Sequence, residues 1–274
     1  MKISAMTIVF NTESILPKNM LKLCVENMLP FVDEYILIEG ATKASYGHPF
    51  DGDTSFFTAD GKSNDGTIEV LQDLEKTYDK VKVIYSKGFW PGKTFMCNAM
   101  SQIAQGNYIW QIDADEFYRH SDIEKIIDLL KKYNPGQVDF YANHFVFGFD
   151  SCIDETNGKK WGNDIPWRRI FKHTPGKSYW MSHEPPVYNN QGFPTYQWNN
   201  NISRDRTLSI DIKMFHYSYV VESQFRFKTK FFKNPEYDIV WDRYKDIGVK
   251  NIFGIEPKKF IGEHPEIIEK NYIL

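Results

Sequence analysis

Tyr108-Ile109-Trp110-Gln111-Ile112-Asp113-Ala114-Asp115-Glu116 runs from a short apolar stretch straight into an acidic cluster. The β-branched and aromatic residues up to Ile112 suit a buried strand. Before them, Gly106-Asn107 stops a helix that the spacing of Phe95, Ala99 and Ile103 along one face predicts over Thr94 to Gln105. A strand that follows a helix and ends in carboxylates is a unit of an α/β fold, in which ligands bind beyond the carboxyl ends of parallel strands.

The same unit repeats upstream. Ser4 to Phe10 predicts a first strand, and after Asn11-Thr12-Glu13-Ser14 an amphipathic helix runs to Met28 with Pro17 near its first turn. Glu34 to Ile38 predicts a second strand and Val81 to Tyr85 a third. Between them, Ile68, Val70, Leu71 and Leu74 mark a helix over Gly66 to Tyr78, which makes Tyr108 to Ile112 the fourth strand. This alternation implies a mainly parallel sheet covered on both faces, a three-layer α/β sandwich. The stretch 41–62, rich in Gly, Pro, Asp, Ser and Phe, is longer than ordinary loops and reads as an inserted flap.

Downstream, Ser121 predicts the cap of a helix carrying Ile123, Ile126, Ile127 and Leu130, and the alternation from Val138 to Phe147 predicts one strand. From there to Ile212 the chain is irregular and rich in Trp, Pro, Asn and Gly, a composition common in acceptor sites and lids. Val220 to Lys233 predicts a basic, Phe-rich helix, which leaves open a solvated face or peripheral contact with a lipid surface.

The 274 residues suffice for a full hydrophobic core, and a net charge of −3 supplies no basic field for nucleic acid. No apolar run approaches the roughly 18 residues of a membrane span, and the amino terminus has no signal-peptide pattern. With Cys24, Cys97 and Cys152 far apart and odd in number, the expected location is the cytoplasm, with any membrane association peripheral. The aromatic content of 16% suits sugar stacking as well as core filling, so Trp167 and Trp180 are read both ways.

Carboxylates at a strand end have two readings. Asp113 and Asp115 either cap the next helix or face a pocket, where hard cations such as Mn²⁺ or Mg²⁺ take a few carboxylate oxygens and complete their shell with substrate phosphates. Asp-x-Asp after a strand also occurs in phosphohydrolases as an aspartyl nucleophile and an acid. Those enzymes place it on the first strand with Thr or Val following, whereas here it ends the fourth and Phe117 holds that place.

From Ser4 to about Tyr219, and most strongly from Gly92 to Phe117, the chain resembles the family 2 glycosyltransferases of the GT-A (Rossmann-like) fold. Asn11-Thr12-Glu13 is similar to the family's Asn-Glu turn with one residue inserted. Glu39 matches the acidic residue facing the nucleoside, and Ser63-Asn64-Asp65-Gly66-Thr67 matches the Ser-x-Asp-Gly-Thr box. Gly92-Lys93-Thr94 resembles the Lys-containing turn under the donor. The resemblance thus implies nucleotide contacts from Asn11, Glu13, Glu39, Asp65, Lys93 and Asp113, and metal ligation by Asp115, with Asp113 meeting the ribose or the metal.

Two later segments complete the implied site. Ser182-His183-Glu184-Pro185-Pro186 resembles the His-Glu box that follows a Trp-Arg-x-x-Phe strand, here Trp167 to Phe171. Glu184 is the candidate base, with His183 the alternative, since a base must take the acceptor hydroxyl's proton. His216, within Met214-Phe215-His216-Tyr217-Ser218-Tyr219, matches a His-Tyr-x-Tyr segment and becomes a candidate metal ligand; otherwise it is a core histidine. The implied activity is inverting, Mn²⁺- or Mg²⁺-dependent transfer of a hexose or N-acetylhexosamine from a UDP-sugar to a glycan, lipid-linked or protein hydroxyl. The alternatives are the phosphohydrolase and a non-catalytic carbohydrate-binding protein on the same fold. On this reading residues 1–219 form the catalytic domain, with a donor half 1–118 and an acceptor half 119–219, and residues 220–274 form a helical appendage.

Overall fold

The computed structural model describes residues 1–42, 57–157, 166–181, 187–188 and 200–273. Parallel strands β1 (Ile3–Val9), β2 (Glu34–Glu39), β3 (Val81–Ile84) and β4 (Tyr108–Gln111) align in the order β3-β2-β1-β4. Strands β1, β2 and β4 are buried throughout or nearly so because both faces of the sheet are covered, whereas β3, at the sheet's edge, buries only Val81. On one face Ala5, Val9, Tyr35, Leu37 and Trp110 pack against α2 (Met20–Met28), α3 (Thr67–Thr77) and α5 (His120–Tyr133). On the other, Met6, Ile36, Ile38 and Ile109 pack against Met96, Cys97 and Met100 of α4 (Lys93–Ile103). This is the expected mixed α/β sandwich around a mainly parallel sheet.

Several local expectations are corrected. Pro17 does not lie in the first turn of a long helix. Leu16 is extended, as a residue before proline prefers, so the chain makes a one-turn α1 (Thr12–Ile15) and restarts after Asn19. In α4 the face carrying Phe95 and Ile103 is the exposed one, and the interleaved Met96 and Met100 pack on the sheet. Helix α5 starts at His120 rather than after a Ser121 cap; there Asp122 accepts from Arg119 Nε at 2.7 Å.

The alternating run Val138 to Phe147 is two strands, not one. It breaks at Tyr141 into β6 (Gln137–Phe140), which joins the central sheet, and β7 (Ala142–Val146), which starts a second sheet. The region read as irregular supplies β8 (Ser151–Asp154) and β9 (Trp167–Lys172). Strand β9 enters the central sheet antiparallel between β4 and β6. A short pair, β10 (Tyr179–Trp180) and β11 (Val187–Tyr188), stands apart.

The second sheet has the order β13-β8-β7-β12-β5, with β5 (Glu116–Phe117), β12 (Met214–Tyr219) and β13 (Lys258–Lys259). Helix α6 (Arg204–Leu208) leads towards β12, and α7 (Glu222–Phe231), α8 (Glu236–Ile247) and α9 (Glu266–Ile268) follow it. Aromatic packing of Phe147, Tyr219 and Phe225 against Trp241 and Tyr244 holds α7 and α8 to this sheet. Of the predicted flap, 57–62 closes in a turn in which Ala41 N–H donates to Gly61 O at 2.7 Å; residues 43–56 lie outside the described residues. Among the described residues no helix is long and apolar enough to cross a membrane.

Candidate active site

Parallel pairing puts the carboxyl ends of β1, β2 and β4 at one edge, with Val9 opposite Glu39 and Met6 opposite Gln111. Beyond Gln111 the chain is held to this edge by Ile112 N–H to Met6 O at 2.9 Å and by Thr7 Oγ1 donating to Ile112 O at 2.7 Å. Asp113, Ala114 and Asp115 therefore project at the strand end, beside a cavity of about 330 Å³ that they line together with Lys93, Trp167 and Arg169. That volume lies at the lower end of small-ligand pockets.

The acidic cluster is sorted by its partners. Glu116 points inward, and its two oxygens accept from Arg169 Nε at 3.1 and 2.9 Å; the Arg169 Nη2 group also donates to Glu116. Burial pushes the Glu116 carboxyl above the usual carboxylate range, and the guanidinium pulls it back. Arg169 Nη2 also reaches Asp113 Oδ2 at 3.1 Å, yet the Asp113 side chain stays 49% exposed. The Arg169 guanidinium lies over the Trp167 ring, 5.0 Å from its centroid, which aids a buried cation.

Asp115 is placed by the second sheet. Pairing of β5 with β12 sets His216 opposite Glu116, and Tyr217 N–H donates to Asp115 O at 2.8 Å. His216 Nε2 then lies 3.7 Å from Asp115 Oδ1. Burial raises the Asp115 carboxyl, and the Lys228 ammonium opposes that rise. Burial holds His216 well below an ordinary histidine value.

The far wall is helix α7. Gln224 accepts Val220 and Val221 N–H at 2.8 and 3.1 Å and donates to Tyr217 O, while Ser223 donates to Ile15 O at 2.7 Å. These bonds pin the helix between β12 and α1, so that Phe227, Lys228 and Phe231 line the cavity. Lys228 donates to Ser218 Oγ at 2.9 Å, and burial lowers its pKa. Lys93 approaches from the first turn of α4, 5.8 Å from the Phe231 ring centroid.

The sequence profile of Glycosyl transferase family 2 matches residues 51–191, just over half of the chain. The chain belongs to glycosyltransferase family 2. Solved structures that it resembles include Staphylococcus aureus TarS 1-349 with UDP-GlcNAc, at a TM-score of 0.49 and 10% identity over 82% of this chain and 60% of that one. TarS 1-349 with UDP gives 0.42 and 13% over 63% of this chain and 47% of that one. The chain thus spans about half to three fifths of these two TarS chains. No curated protein matches it.

In this family member Lys93, Asp113 and Asp115 meet at the cavity, and His216 stands directly behind Asp115. The other residues expected to contact nucleotide form a scaffold around the first strand end. Asn11, in the left-handed region, accepts Asn64 N–H at 3.0 Å, and its own N–H donates to Ser63 Oγ. Asp65 accepts Ser14 N–H at 2.7 Å and the Thr67 hydroxyl at 2.6 Å. Glu13 N–H donates to Thr67 Oγ1 at 3.3 Å; burial, then Asp65, raises its carboxyl. Glu39 is fully buried and accepts Ser63 N–H at 2.6 Å. His183 and Glu184 lie outside the described residues.

Metal ligation has a partial fit. Among the described residues no three His, Cys, Asp or Glu side chains converge as a cage. Asp115 and His216 do offer an oxygen and a nitrogen within 3.7 Å, and a hard cation commonly completes such a pair with substrate phosphates and water. Sequence reading missed Arg169 and Lys228, which line the cavity. Arg169 had a usable signal, because alternation along β9 puts it on the same face as Trp167. Lys228 had none, since it reaches the site from a helix over a hundred residues downstream of Asp115.

Proposed function

We propose that the protein transfers a sugar from a nucleotide diphosphate donor, with UDP-hexose or UDP-N-acetylhexosamine the first to test, to a hydroxyl of a glycan, lipid-linked or protein acceptor. The observation that carries this reading is the convergence of Asp113, Asp115, Lys93 and Lys228 on one cavity at the carboxyl edge of the sheet. Asp115 and His216 would hold Mn²⁺ or Mg²⁺, which supplies charge neutralisation to the leaving diphosphate. Lys93 and Lys228 face the diphosphate from opposite walls and hold its negative charge, and Asp113, braced by Arg169, keeps an exposed face for the ribose. Glu184, with His183 as its alternative, takes the acceptor hydroxyl's proton while that oxygen attacks the anomeric carbon, giving inversion.

Calorimetric titration of UDP-sugars with and without Mn²⁺ tests the reading, together with detection of transferred sugar on an acceptor panel. Donor binding is expected to require the cation and to be lost in Asp115→Ala. Metal-independent donor binding that is unchanged in Asp115→Ala overturns it, as does phosphate release from simple phosphate esters without sugar transfer.

A further inference from the structure

Behind Asp115 a buried chain of side chains leads away from the cavity. In the parallel pair β7 and β12, His144 and His216 are register partners, and their Nδ1 atoms lie 3.0 Å apart. His144 Nε2 is 2.9 Å from Glu155 Oε1. The same carboxylate takes Trp167 Nε1–H on Oε1 and Ala142 N–H on Oε2, each at 2.9 Å. The Trp167 ring sits with its centroid 5.3 Å from that of each imidazole and shields the pair.

Hydrogen-bond geometry along this chain bears on the tautomers. A carboxylate oxygen accepts, so Glu155 Oε1 takes its proton from His144 Nε2–H. The 3.0 Å contact between the two Nδ1 atoms holds one proton, carried by one ring or the other. His216 Nε2 faces Asp115 Oδ1 at 3.7 Å, too far for a hydrogen bond, so a proton on Nε2 would have no bonded acceptor there. With the shared proton on His216 Nδ1, Nε2 and Asp115 Oδ1 are two acceptors facing each other, which is the electrostatic setting of a cation.

We propose that His144 and Glu155 are positioning residues that lock His216 in its Nδ1–H tautomer, so that Nε2 is permanently available as a ligand for the divalent cation. Such outer partners orient a ligating imidazole and raise its basicity. The inference rests on the reading that Asp115 and His216 hold that cation.

The test measures Mn²⁺ binding in the presence of UDP by the loss of the free-ion electron paramagnetic resonance signal. The proteins compared are the wild type, His144→Phe, His144→Gln, His216→Ala and the double variant His144→Phe/His216→Ala. Nitrogen-15 imidazole spectra of the wild type without cation are recorded alongside. His144→Phe is expected to weaken Mn²⁺ binding by about 10–100-fold. His144→Gln, whose amide oxygen accepts from His216 Nδ1–H, restores part of it. In the His216→Ala background the His144 change has no further effect, a non-additivity that general loosening of the fold does not produce.

Mn²⁺ affinity that survives both His144 variants overturns the inference while leaving the cation site standing. A wild-type spectrum with the His216 proton on Nε2 overturns it without any variant. No Mn²⁺ binding by the wild type removes the cation reading and the inference with it, an outcome distinct from the other two.

Discussion

The guanidinium of Arg169 on β9 is gripped by both carboxylate oxygens of Glu116 on β5, so one buried ion pair ties the central sheet to the second sheet directly beneath the acidic cluster. Removing one member leaves the other charge buried without its partner. Arg169→Met is expected to cost about 3–5 kcal/mol of stability. Arg169→Lys recovers part, because an ammonium lacks the planar fork. Thermal unfolding of the three proteins checks this, and equal midpoints for wild type and Arg169→Met would refute it.

Acid should destabilise the fold through two histidines remote from the cavity. His173 and His264 are held below the ordinary histidine value mainly by burial, opposed by the Ala104 carbonyl in one case and by Glu269 in the other. Above the unfolded pKa of about 6.5 their contribution is complete. As pH falls towards their lowered native values, the unfolded chain binds more protons than the native one and that contribution is lost. The melting temperature of His264→Gln should therefore depend less on pH than that of the wild type below about pH 6.5, where His264 Nδ1 meets Tyr217 Oη at 2.7 Å in the native protein. Parallel curves for the two proteins would contradict the assignment.

Lys228 reaches the cavity with its charge partly stripped of water and balanced by Asp115 and Asp113. Lys228→Met is expected to weaken UDP binding by about 10-fold or more, the range of a hydrogen bond to a charged group. Lys228→Arg should retain most of the affinity. Calorimetric titration of UDP resolves the difference, and undiminished binding by Lys228→Met would take this residue out of the donor site.

Gly40 follows Glu39 at the end of β2 with φ near +128, and a Cβ there would meet Ser86 Cβ at 2.5 Å. Gly40→Ala combines backbone strain with overpacking, at a cost of about 2–4 kcal/mol. Since Gly40 also lines the cavity, UDP affinity should fall together with stability. Unchanged denaturation and titration curves would count against both effects.

How far the site was legible follows from the range of the interactions. Strands β1 to β4 and helices α3 and α4 came within a residue or two, because period and punctuation are local. The face of α4 was misjudged for the opposite reason: Phe95 and Ile103 share one stripe and Met96 and Met100 another, and helical spacing does not say which stripe meets the sheet. Likewise the break at Tyr141 that sends β6 and β7 into different sheets has no turn residue to announce it.

By itself, then, the sequence determined the α/β order, the parallel strand ends and the acidic cluster that follows β4. Only the tertiary structure decided the division of labour within that cluster, turning Glu116 inward to Arg169 and Asp115 towards His216 while leaving Asp113 half-exposed. Three neighbouring carboxylates are chemically near-identical along the chain. They become different when strands distant in sequence bring each a different partner and a different degree of burial, and those two quantities set charge, tautomer and ligand chemistry.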